Sequence, residues 1–168
     1  LIYQDINKPD LKDGQIMVQL KAVSINHLDL WVRKGLPNVQ FKLPMILGSD
    51  GSGIIVDMKY SSKKLKIGDD VIIQPGISCM KCKYCKSGKE NYCIKYGILG
   101  ETQDGTLREF INLNPQNIYK KPKHLSYIEA ASMPLVFMTA YQMLITKAFT
   151  LKNYTKVPAS KLIVEKYT

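Results

Sequence analysis

Residues 79–93 read CMKCKYCKSGKENYC and hold every cysteine of the chain, four thiols spaced C-x2-C-x2-C-x7-C. Nothing in the sequence marks secretion, and in that setting clustered cysteines read as metal ligands before disulfide partners. A turn at x2 spacing lets successive sulfurs converge on one ion, whereas a disulfide between such neighbours is strained. Tetrahedral thiolate coordination suits zinc or an iron–sulfur centre. Cys79, Cys82 and Cys85 imitate the start of a ferredoxin motif, but there the fourth cysteine follows after about three residues and precedes proline. Here Cys93 follows after seven and precedes Ile94. A zinc ribbon separates two C-x-x-C knuckles by roughly 15–20 residues. The spacing therefore favours one zinc per chain on Cys79, Cys82, Cys85 and Cys93, over an iron–sulfur centre, disulfides or free thiols. Four thiolates leave no open coordination position, so such an ion staples a loop and does no chemistry.

Outward from this lobe the chain reads as short strands. Residues 15–24 (QIMVQLKAVS) place Ile16, Val18, Leu20 and Ala22 on one face at period two, the pattern of a half-buried strand. Asn26 is a helix cap for HLDLWVRK, which Gly35 closes. Further strands are expected at 53–57, 70–74, 105–113 and 117–120, with the cysteine lobe mostly loop. The character changes at Leu125: Ser126 and Glu129 form an S-x-x-E capping box, and a helix follows, interrupted or restarted at Pro134. The expectation is a mainly β body, an irregular small barrel over residues 1–124, and a helical segment over 125–168.

Composition sets bounds on function. Of 168 residues, 45% are hydrophobic and 23% charged, ordinary for a globular protein. No apolar run reaches the about 18 residues a membrane helix needs, and LIYQDINKPD at the N-terminus lacks the build of a signal peptide, so a cytoplasmic location is expected. The absence of an initiator Met suggests a piece of a longer protein. The net charge is +10, which raises nucleic acid as a partner. The lysines are scattered, however: Lys63, Lys64 and Lys66, then Lys81, Lys83, Lys86 and Lys89, then Lys120, Lys121 and Lys123. Only Tyr84 and Tyr92 interleave them, too few for base stacking. A solvated surface is the favoured reading, and four thiolates around a divalent ion also remove about two positive charges.

The cysteine spacing, set after DVIIQPG, resembles the structural-zinc lobe of the medium-chain dehydrogenase/reductase superfamily, the zinc-type alcohol dehydrogenases. The resemblance extends over about residues 1–148 through KAVSINHLDLWVRKGLP, LPMILGSDGSGIIV, GDDVIIQPG, YGILGETQDGTLREFINL and AASMPLVFMTAYQML. It implies a GroES-like β-barrel catalytic domain with a C-terminal helix leading into a Rossmann domain, and an NAD(P)-dependent oxidoreductase. The family's catalytic zinc takes a Cys, the His of a G-H-E motif and a second Cys. Those positions fall on Asn26, Ser49 and near Leu135, and the family's proton-relay His falls on Trp31. Asn and Ser are weak neutral ligands and Leu is none, so no catalytic zinc is expected.

The resemblance is closer to the quinone-oxidoreductase-like branch, which works without that metal but usually lacks the cysteine lobe. Without a Lewis acid an isolated carbonyl is hard to polarise, so the implied substrate of the full-length parent is a small carbonyl, enone or quinone. Candidate catalytic residues by position are Asn26, Asp29 and Asp50, and cofactor-facing ones are His27 and Thr139. Ser49 reads rather as a turn former, and Phe137 and Tyr141 as core. All eleven glycines lie at or before Gly105, so the glycine-rich turn of a dinucleotide fold is missing; 162–164 reads as the start of a first Rossmann strand. NAD(P) would belong to the full-length parent, and this chain alone is expected to be inactive. The competing readings are a free-standing four-cysteine zinc module that binds an acidic partner or nucleic acid, and a remnant with no function of its own. Substrate, NADH versus NADPH and oligomeric state are not fixed by the sequence.

Overall fold

The computed structural model describes residues 1–35, 37 and 39–147; the expected strand at 162–164 lies outside them. Two compact units divide between Leu135 and Val136.

The first unit is built on a five-stranded antiparallel sheet in the order β6-β1-β2-β3-β7. Strand β1 is Ile16–Ser24, β2 Asp50–Met58 and β3 Asp70–Ile73. Between β1 and β2 lies helix α1, His27–Lys34. A two-stranded ribbon, β4 (Gly76–Ile77) with β5 (Gly97–Ile98), brackets the cysteine lobe and its single helical turn α2, Lys83–Lys86. The edge strands are β6, Phe110–Leu113, and β7, Ile118–Lys120. Helix α3, Tyr127–Ala131, packs against β1 and β2.

Alternation explains the sheet. Ile16 and Val18 of β1, Ile55 of β2, Val71 and Ile73 of β3, Ile111 and Leu113 of β6 and Ile118 of β7 point into one core, joined by Leu99. Each fully buried aliphatic side chain of this kind is worth about 1.5–3 kcal/mol. Strand β1 runs against β2 on one side and β6 on the other, Ile16 opposite both Met58 and Leu113.

The expected barrel is curled but not closed: among the described residues no ladder joins β6 to β7. These two edges are nevertheless joined by only Asn114 and the 3-10 turn Pro115–Asn117. Five flat strands would hold their edges about 19 Å apart at normal strand spacing. A link this short, part of it coiled in a 3-10 turn, does not reach that far, so the sheet must bend until its edges approach.

The expected strand at 105–113 is only Phe110–Leu113. Its first half folds back on the segment before β2, with Gly105 N–H donating to Ile46 O, Thr106 N–H to Gly48 O and Leu107 N–H to Leu47 O. Gly105 permits this approach: a Cβ there would lie 1.9 Å from Gly48 O.

The capping signals read from sequence are in place. Asn26 caps α1, its N–H donating to Asp29 Oδ2 at 2.7 Å, and Gly35 ends the helix with φ +84°. Ser126 caps α3, exchanging hydrogen bonds with Glu129. The helix restarts at Pro134 as α4, Pro134–Tyr141. The described part of the second unit continues in a π-helical stretch, Gln142–Lys147. Phe137 and Tyr141 are exposed there, not core. No helix among the described residues is long and apolar enough to cross a membrane.

Candidate functional site

Two constellations carry chemistry. The first is the cysteine lobe. Strands β4 and β5 bring its ends side by side, α2 turns Cys82 and Cys85 toward each other, and a 3-10 turn, Glu90–Tyr92, returns Cys93. All four Sγ atoms lie within 4.8 Å of one another. Cys82 Sγ and Cys85 Sγ are 3.5 Å apart, and Cys79 Sγ and Cys85 Sγ 3.9 Å. A thiolate tetrahedron with metal–sulfur bonds of about 2.3 Å has edges of about 3.8 Å, so the donor set fits a tetrahedral thiolate-bound ion. Sulfur separations of 3.5 and 3.9 Å suit a shared ion and are well beyond the about 2.05 Å of a disulfide bond.

Backbone donors suit charged sulfur. Cys82 N–H points to Cys79 Sγ at 3.4 Å, and Cys79 N–H and Lys95 N–H point to Cys93 Sγ at 3.4 and 3.3 Å. Such N–H groups, with that of Lys81 foremost, lower the Cys79 thiol to about 6. Cys82 is also lowered, chiefly by the Cys85 N–H. Removal from water, with the neighbouring thiols adding, pushes Cys85 up to about 11. Cys85 is thus the sulfur that most needs a cation to become a thiolate. These four residues would hold the ion, and the ion would lock the lobe.

The second constellation centres on Asp50, at the start of β2 and fully buried. Its Oδ1 accepts from Leu135 N–H at 2.9 Å. Its Oδ2 accepts from Asn26 Nδ2 at 3.0 Å and, more weakly, from Ser24 Oγ at 3.4 Å. Its backbone carbonyl accepts from Thr106 Oγ1 at 2.8 Å. A second buried carboxylate, Asp29, accepts from Asn26 N–H and from Gly48 N–H, each at 2.7 Å. Burial raises the Asp50 pKa, the three donors oppose that, and the charge on Asp29 adds to the rise.

The structure thus brings together Asn26, Asp29 and Asp50 from among the expected site residues. Ser49 points elsewhere: its hydroxyl donates to Leu99 O at 2.8 Å, a long-range bond immediately before β2 and not part of a turn. His27 is exposed and faces Trp31, ring centroids 5.9 Å apart. Thr139 belongs to the second unit. The sequence did not flag Ser24, nor the Leu135 backbone N–H. The first carries no motif, and the second is a main-chain donor that residue type cannot announce. At Asn26, Ser49 and Leu135, where the resemblance expects the family's catalytic-zinc ligands, the residues do not fit a zinc site. Asn26 donates to Asp50, Ser49 to Leu99 O, and Leu135 has no side-chain atom that could ligate a metal.

Comparison with known proteins agrees with this architecture. The model of the alcohol dehydrogenase GroES-like domain matches residues 12–123, and the chain belongs to this family. An alcohol dehydrogenase of Geobacillus stearothermophilus is 34% identical over 143 residues, 84% of this chain and 42% of that protein. A crotonyl-CoA carboxylase/reductase of Cereibacter sphaeroides is 33% identical over 144 residues, 83% of this chain and 34% of that protein. Among solved structures, an NAD-dependent alcohol dehydrogenase superposes with a TM-score of 0.81 at 43% identity, covering 86% of this chain and 42% of that one. The chain therefore spans about two fifths of the length of such relatives, and the family is one of oxidoreductases.

Proposed function

We propose that the chain is the substrate-side domain of an NAD(P)-dependent oxidoreductase, held by one structural zinc on Cys79, Cys82, Cys85 and Cys93, that acts without a catalytic zinc. The observation that carries this reading is the Asp50 cluster, where Asn26 and the Leu135 N–H meet on a carboxylate instead of three ligands meeting on a metal. A site without a Lewis acid is suited to acceptors that are already electrophilic. NAD(P)H, when bound by the longer polypeptide, would supply hydride chemistry toward an enone or a quinone. This chain's part would be to orient the acceptor, with the free N–H of the Asn26 carboxamide toward the carbonyl oxygen. A relative named for crotonyl-CoA, a conjugated thioester, supports this substrate class. Asn26 would face the substrate, with His27 and Thr139 toward the cofactor. The domain division near residue 124, with a cofactor-binding part beyond it, and a cytoplasmic location belong to the same proposal. Four cysteines that converge on one ion, a pattern read as metal-binding in the cytosol, support that location.

The test is an assay of the longer polypeptide that carries the cofactor-binding part, with NADPH or NADH against cyclohexenone and 1,4-benzoquinone. Reduction of these acceptors, with simple alcohols inert, is the expected result. Oxidation of simple alcohols that stops when a second zinc is chelated would overturn it. Assayed by itself, the present chain is expected to turn over neither nucleotide.

A further inference from the structure

We propose that Asp50 is a positioning residue, whose carboxylate fixes the Asn26 carboxamide so that one of its N–H bonds is held inside and the other is presented outward. The proposal rests on the reading of Asn26 as the substrate-facing group, and adds the residue that orients it.

The geometry favours this over a direct role for Asp50 in chemistry. The side chain is fully buried, and each oxygen is already engaged. Asn26 is half-buried, and among the described residues its Nδ2 makes one hydrogen bond, to Asp50 Oδ2 at 3.0 Å. An amide nitrogen carries two donors, so one N–H remains for a ligand. The plane of the carboxamide is set by the bond it has already made. The Asn26 backbone is fixed separately, by Asp29, so the two carboxylates divide the work: Asp29 places the residue and Asp50 turns its side chain. The Leu135 N–H and the Ser24 hydroxyl hold the Asp50 carboxylate from its other sides, so it has little freedom to swing. Such preorganised donors are worth most where water is excluded.

Nuclear magnetic resonance on the full chain, with Asn side chains labelled with nitrogen-15, tests this without any activity. Asp29 on α1 is the titratable group that acts on Asp50; β1, the bend at Thr106 and Leu135 offer it neutral groups. The two Asn26 amide protons are expected to be well separated in shift and to move together with the Asp50 carboxyl carbon as pH changes. In Asp50→Asn that movement should vanish, while the Asn26 backbone N–H, held by Asp29, keeps its native shift at neutral pH. In Asp50→Ala the two protons should converge and exchange with water at least ten-fold faster. An Asn26 side chain whose signals do not follow the Asp50 carboxyl in the native chain would overturn the proposal, even if neither variant folds. So would signals that still move unchanged in Asp50→Asn. The outcome is independent of whether the longer polypeptide reduces an enone, so the two readings fail separately.

Discussion

At the scale of single residues, the Asp50 carboxylate is a buried anion whose partners are all neutral donors, and this fixes what its removal should do. Asp50→Ala removes the carboxylate that accepts from the Leu135 N–H and leaves the inner N–H of the Asn26 carboxamide buried without that bond. An unsatisfied buried group costs about 1–3 kcal/mol, so urea unfolding at neutral pH should show a loss of that order. Its pKa is raised above the ordinary 3.8. Between that value and the raised one, the folded chain holds more protons than the unfolded chain. Stability contributed by Asp50 therefore falls as pH rises through this window and is level above it. Asp50→Asn should remove that slope. Urea midpoints measured for both chains from pH 4 to 7 check this, and parallel profiles would contradict it. Much of this site was legible in the sequence, because N-x-x-D at Asn26 and Asp29 is a cap pattern and Asp50 sits in a recognisable motif. The wiring was not, since Ser49 and Asp50 alternate to opposite sides of the chain and a main-chain donor at Leu135 leaves no trace in composition.

At the scale of elements, the strands, helix caps and cysteine turns followed from local rules. One error fell where backbone packs on backbone, another at Phe137 and Tyr141, whose apolar character suggested core and which are exposed. Residues 105–109 have the composition of a strand, yet Gly105 lies so close to Gly48 that a ladder gives way to a cross-connection. Gly105→Ala should therefore be among the most damaging single changes. Its new Cβ has backbone on every near side, and a loss of several kcal/mol or failure to fold is expected, measured by thermal unfolding against Gly68→Ala. At Gly68 no atom lies within reach of an added Cβ, and only the positive φ opposes the change. In the cysteine lobe, Cys85→Ser should abolish tight zinc binding, with metal analysis falling from one ion per chain to none. Hydrogen exchange should then accelerate over 79–96 and leave the β1–β2 ladder protected. Two zinc ions in the native chain would contradict the assignment of a single structural site.

At the scale of the whole molecule, the cysteine lobe and the sheet meet through a narrow connection. The lobe leaves the body after Ile77 and returns at Gly97, directly opposite. Its 19 residues, 78–96, therefore begin and end one strand spacing apart. Any chain that joins two adjacent strand ends could replace it. A two-residue Asn-Gly turn has the geometry for such a join. Shortening the loop to that length would lower the entropic cost of closing it by roughly 2 kcal/mol. A chain with 78–96 exchanged for Asn-Gly should fold, bind no zinc, and keep the native exchange protection of β1, β2 and β6. Collapse of the sheet in that variant would show the ion to be part of the core's support. If the sheet survives, the metal serves its own excursion only: it offsets the cost of a detour that the body around it could do without, and lobe and body could be gained or lost independently over evolutionary time.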